Sequence, residues 1–276
     1  MRNPTRRNRN IGTAKQGYGK NNKLVVPYPA VEMKSFYERL ENYKVVEKII
    51  NNHKFRFVIE KTRKNSFHAC TVDDIEFMLS HIPKKDYGNL ELIILRQPKR
   101  KEENLKPVWG RFIYSYQFEN EYLPAVIIEA VDLNRKFRWD KKLNIESQNE
   151  LERLKNDGHK IVMGKRYFEA EYKIENIRAT QLYRTLLHEI GHYVHYLNVV
   201  EKPAKENEEY EIWEKRWDFY HSLPKTEKES FAHSFADKLK KKLETEKIIP
   251  FDRIINHENF KNYGLDIFDF ENNYRR

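Results

Sequence analysis

The chain predicts an α+β fold, a mixed sheet followed by helices. Strand-like apolar runs and helical stretches interleave up to about residue 174 of 276. From about residue 179 onward the apolar residues recur at helical spacing. No internal repeat and no Gly-rich phosphate loop competes with that reading.

Taken in order, residues 1–23 hold Arg2, Arg6, Arg7, Arg9, Lys15, Lys20 and Lys23 and no acid, so +7 of the net +10 sits there. A disordered basic tail is expected. It can bind nucleic acid weakly through phosphates, or serve as a solubilising or docking arm. Residues 24–100 are expected to form an N-terminal α/β region. A Pro-punctuated linker at 25–29 leads into a helix over about 30–51, with Phe36, Leu40, Tyr43, Val46, Ile49 and Ile50 as its apolar side. Residues 55–59 read as a strand. Residues 71–79 read as a short helix with Thr71 as N-cap and Asp74 completing a capping box. Residues 90–95 are almost wholly apolar, which predicts a central strand.

Residues 101–250 are expected to form the second domain. Strand-like runs at 108–118 and 125–131, joined by 119–124, predict a hairpin with a longer loop. A helix over 147–157 closes at Gly158, and 159–174 supply one or two strands. Helices follow at 179–197, 206–220 and 228–243. Trp213 and Trp217, four apart on the second of these, are read as core packing rather than as a substrate platform. Residues 251–276 mix aromatics with acids and amides and are expected to cap the fold.

Composition excludes several classes. Aromatics at 13% supply a core despite 34% charged residues, which excludes wholesale disorder. No run of 18 apolar residues exists, so no transmembrane helix is expected. The first residues lack the apolar stretch of a secretory signal, and the lone Cys70 excludes an internal disulfide. A cytoplasmic setting is the expectation.

The chemistry concentrates in His188-Glu189-Ile190-Gly191-His192. Leu182, Leu186, Leu187, Ile190, Val194 and Leu197 give the surrounding helix its apolar face. Two histidines four apart lie one turn from each other, so both can reach one metal ion, while Glu189 can address a water bound to it. A catalytic zinc takes three protein ligands and keeps an open position. The metzincin continuation needs Gly at 195 and His at 198; this chain has His195 and Asn198. Seven residues of helix rise about 10.5 Å, too far for His188 and His195 to share an ion, so His195 is read as a second-shell or surface histidine. Downstream, Phe231, Ala232, Phe235, Ala236, Leu239 and Leu243 form another apolar face, with Glu229 at its rim and Glu227 turned away. A carboxylate at such a rim needs a partner or a cation, which makes Glu229 the expected third ligand. His233, one turn on, could be a ligand, a substrate contact or a partner of Asp237; Asp237 could orient a ligating histidine.

These motifs resemble the gluzincin metallopeptidases. The run Glu229-x-Phe231-Ala232-x-x-Phe235-Ala236 is similar to the third-ligand helix of anthrax lethal-factor-type peptidases. It is similar also to that helix in the compact ImmA/IrrE-like peptidases of bacteria and mobile elements. The resemblance covers about residues 180–243, a quarter of the chain. It implies a zincin-like metallopeptidase core, a mixed sheet with an active-site helix and a following ligand helix. It also implies Zn2+ held by His188, His192 and Glu229, Glu189 as general base, and hydrolysis of a protein or peptide substrate. Such families often steady the oxyanion with a Tyr or His, and Tyr220 and His221 precede Glu229. They also commonly carry the peptide on an exposed strand edge, for which the hairpin from 108 to 131 is the candidate. The alternative is a non-catalytic regulatory or nucleic-acid-associated binding protein on a peptidase fold; the intact Glu189 favours catalysis, because a binder needs no base. A mobile-element or phage protein that processes a structural partner would use the same chemistry.

Overall fold

The computed structural model describes residues 35–105, 108–135, 137–204, 208–265 and 270. The basic tail of residues 1–23 and the linker at 25–29 lie outside the described residues. The chain divides after Arg39. Ahead of that point Phe36–Glu38 form one 3-10 turn, in which the Ser35 backbone N–H donates to the Glu38 carboxylate at 2.7 Å.

Among the described residues the long helix expected over 30–51 does not form. Residues Tyr43–Ile50 are a strand, β1, paired antiparallel with β2, His53–Glu60. Val45, Val46, Ile49 and Ile50 are β-branched and stiff at χ1, which favours the pleat over the helix. Asn51 and Asn52 then take φ of 52° and 58°, the left-handed pair that closes a two-residue hairpin. The Asn-Asn pair is the turn signal in the sequence, and the apolar residues ahead of it fit a period of 2 as well as one of 3.6.

Short β3, Ser66–Phe67, leads to α1, Val72–Ser80. Its start is as expected: Asp74 N–H donates to the Thr71 hydroxyl at 2.9 Å, and Thr71 N–H donates back to Asp74. Next come β4 (Leu92–Arg96), α2 (Arg100–Leu105), β5 (Gly110–Phe118) and β6 (Glu121–Glu129). The sheet order is β1-β2-β4-β6-β5, parallel in its centre and antiparallel at both ends. The boundary expected near residue 100 thus runs through a single sheet. β4 is central and its residues are buried on both faces, as its composition requires.

The expected loop at 119–124 is shorter than predicted. Glu119 and Asn120 alone make the turn, and Glu121–Glu129 are strand, Pro124 included. Pairing runs Ile113↔Ala125 and then Tyr116↔Leu123, so Tyr114 and Ser115 together oppose Pro124. Pro124 has no N–H for the ladder, and the strand accommodates it as a bulge, a device that re-aims a side chain.

Beyond β7 (Val131–Asp132), a small sheet of β8 (Phe137–Asp140), β9 (Lys160–Met163) and β10 (Tyr167–Glu171) brackets α3, Ile145–Asn156. The helices that follow are α4 (Ile174–Thr180), α5 (Leu186–Tyr196), α6 (Tyr210–Ser222), α7 (Lys225–Thr245) and α8 (His257–Tyr263). One core unites Phe55, Phe57, Ile93, Leu95, Val126 and Ile128 of the sheet with Ile75 and Leu79 of α1 and Leu186, Ile190 and Val194 of α5. Phe260, Tyr263 and Phe270 from the C-terminal region enter the same core.

Asp74, fully buried, fastens three distant segments. It takes two bonds from Arg178 (2.8 and 2.9 Å) and one from the Ile254 N–H at 3.0 Å. Removing it leaves a buried guanidinium without its charge partner, so Asp74→Ala is expected to cost about 3–5 kcal/mol in urea unfolding. A loss under about 1 kcal/mol would show that the pair carries no such weight.

His68 sets an acid limit. It is 5% exposed, its Nε2 donates to the Glu60 carbonyl at 2.7 Å, and burial pushes its pKa down to about 4. Above pH 6.5 it is neutral folded or unfolded. Below that, only the unfolded chain takes up the proton, so stability falls with pH until about pH 4 is reached. At pH 5 the loss from this one residue is about 2 kcal/mol. Burial raises the pKa of Glu60 and Glu129, which acts in the opposite sense. The comparison is therefore with His68→Gln, which should lose less stability than the wild type between pH 7.5 and pH 5; parallel melting curves would refute the assignment.

Candidate metal centre

Helix α5 does not stand alone. π-turns at Gln181–Thr185 and Leu197–Glu201 join it to α4 and extend it, so one continuous rod runs well beyond the expected 179–197. Its apolar face packs on the sheet, which leaves His188 and His192 aimed at α7. The two helices touch most closely at Gly191. A Cβ there would lie 2.9 Å from the Ala232 carbonyl oxygen and 3.0 Å from its Cα. Only a residue without a side chain permits this approach, and it carries Glu229, one turn before Ala232, over the histidines.

Glu229 Oε lies 3.2 Å from His188 Nε2 and 3.7 Å from His192 Nε2, and the two Nε2 atoms are 3.1 Å apart. Bonds near 2.0–2.1 Å in a tetrahedral zinc site set neighbouring ligand atoms about 3.3 Å apart, so the three donors span what one such ion needs. The side chains of His188 and His192 are 13% and 15% exposed, and that of Glu229 is 37% exposed, which leaves the cluster open on one side. Burial and the neighbouring His188 hold His192 down at about 4, in the neutral form that ligates. The hydrogen bond from His188 holds Glu229 at about 2, ionised. His188 turns its Nε2 to the other two donors, and its buried Nδ1 has no hydrogen-bond partner. Two imidazoles and a carboxylate converging in this way fit a divalent cation.

Glu189 is 9% exposed and lies between the cluster and β5. The Phe112 backbone N–H donates to it, while burial raises its pKa to about 7 against the pull of His188. β5 is the end strand of the sheet, and Phe112 packs its ring 5.2 Å from Tyr193 of α5.

The remaining candidates separate. His233 rests its ring 4.2 Å from His188, outside the group of three donors. His195 is 7% exposed and stacked 4.3 Å from Phe231, outside the group of three donors, so it is not a surface histidine. Asp237 is exposed and orients neither histidine. Tyr220 is buried with its hydroxyl donating to the His192 carbonyl at 3.2 Å, so it braces the metal helix. His221 turns its Nδ1–H to the Trp217 carbonyl at 2.8 Å. Nothing local in the sequence singles out Tyr114: the bulge on β5 brings its hydroxyl 2.6 Å from that of Tyr220. Its signal was Pro124, whose effect on the opposite strand needs the register to be known.

A mixed sheet, a helix with two histidines four apart and a following helix with a glutamate define a zincin-like α+β core carrying an HExxH-type site. No family model, characterised protein or solved structure matches the chain. Among the described residues no helix is long and apolar enough to cross a membrane.

Proposed function

We propose that the chain is a zinc-dependent endopeptidase acting on a specific protein substrate, with His188, His192 and Glu229 as ligands. The convergence of those three donors beside a buried Glu189 is the observation that carries this reading. Zinc, when bound, lowers the pKa of a coordinated water and polarises a carbonyl. Glu189, buried beside the three donors, is placed to take the proton of the attacking water and return it to the leaving amine. The Phe112 N–H fixes its carboxylate. The outer edge of β5, an end strand, suits an extended peptide added by main-chain bonds.

Metal analysis tests the ligand set. Mass spectrometry of the untagged protein should find about one zinc per chain, and Glu229→Ala should lose it. A Glu229→Ala protein that retains full zinc would remove Glu229 from the site.

A further inference from the structure

Helix α6 turns one residue, Tyr220, fully inward. Four of its other rings form a stripe: Tyr210, Trp213, Trp217 and His221 fall on one face at steps of three and four, with Phe219 on another face. Tyr210 is 66% exposed and Trp217 38% exposed, contrary to the core packing expected for Trp217, while Trp213 is half-buried with its indole N–H donating to Glu201 at 3.3 Å. Tyr210 stacks 5.6 Å from Trp213, and Trp217 stacks 3.8 Å from His221. His221 then meets Tyr114 of β5 at 5.6 Å, so the stripe is continuous with the strand that touches Glu189. Exposed aromatic surface of this kind marks a binding site. Along its flank stand Glu211, Glu214 and Asp218, all exposed, an acidic rail beside the rings.

We propose that this stripe is an exosite for the protein substrate, holding an apolar or aromatic segment bordered by Lys or Arg. Naming the occupant as substrate rests on the peptidase reading; the surface itself does not. Eleven residues of helix span about 16 Å. An extended chain covers that in about five residues, so the segment held lies several residues from the bond cleaved. Four partly exposed rings offer at most on the order of 400 Å². A stable dimer buries about 800 Å² on each partner, so the stripe suits a peptide segment better than a second copy.

The test is to pan phage-displayed random 16-residue peptides on the zinc-loaded Glu189→Gln chain and measure the selected peptides by fluorescence anisotropy. Peptides rich in aromatic and basic residues are expected. Tyr210→Ser/Trp217→Ser should weaken them at least about tenfold. Glu214→Lys/Asp218→Lys, which alters exposed charges alone, should weaken them with a salt dependence. Failure to select any peptide, or equal binding to both double variants, overturns the proposal. So does a wild-type dimer in sedimentation velocity that Tyr210→Ser/Trp217→Ser makes monomeric. Peptides bound through the stripe that the zinc-loaded wild type leaves intact would sink the peptidase reading and leave the exosite standing. Peptides cleaved with no dependence on the stripe would do the reverse.

Discussion

Glu189→Gln is expected to keep its zinc and lose about three orders of magnitude in turnover, the contribution of a well-placed general base. The substitution preserves shape and the bond from the Phe112 N–H, since an amide oxygen accepts as a carboxylate does. It removes the capacity to hold a proton. The ligand donors belong to His188, His192 and Glu229, so metal content should not change. Two measurements on one preparation decide it: zinc by mass spectrometry, and cleavage of a quenched-fluorescence peptide library that the wild type cuts. Full activity in Glu189→Gln would reassign the base; loss of zinc would mean that Glu189 holds the site together.

Gly191→Leu should empty the site without unfolding the chain. The added side chain meets the Ala232 backbone and the Phe235 ring, 3.2 Å from the Cβ position, and backbone cannot rotate away. Overpacking of this kind costs roughly 1–3 kcal/mol, relieved if α7 moves outward. Glu229 rides on α7, and a metal bond tolerates only about 0.2 Å. Zinc affinity is therefore expected to fall about 100-fold or more, with far-UV circular dichroism unchanged. Gly191→Ala should fall between the two. Wild-type zinc affinity in Gly191→Leu would show that the close approach of the two helices is dispensable.

Some of this was readable before folding. His188, Glu189 and His192 lie within five residues, so helix geometry alone fixes their relation. Glu229 followed from its place on the rim of an apolar face, also a property of one helix. Thr71 with Asp74 marked a helix start for the same reason: the bonds are local. The strand at 92–96 was legible because burial on both faces leaves a wholly apolar run.

What failed depended on partners far along the chain. Residues 43–50 fit either period, and pairing with 53–60 decided for the strand. Pro124 read as a loop because its place opposite Tyr114 and Ser115 is a matter of register. Trp217 read as core because a sequence does not show which face of α6 meets the fold. The sequence by itself determined the chemistry of the site, since its spacing is set by 1.5 Å of rise per residue. Only the tertiary structure decided that α7 comes close enough at Gly191 to complete the cluster. It alone also decided that β5 ends the sheet beside Glu189, and that Tyr210 and Trp217 of α6 stay exposed. Each of these is a contact between segments with no fixed separation until the whole core packs.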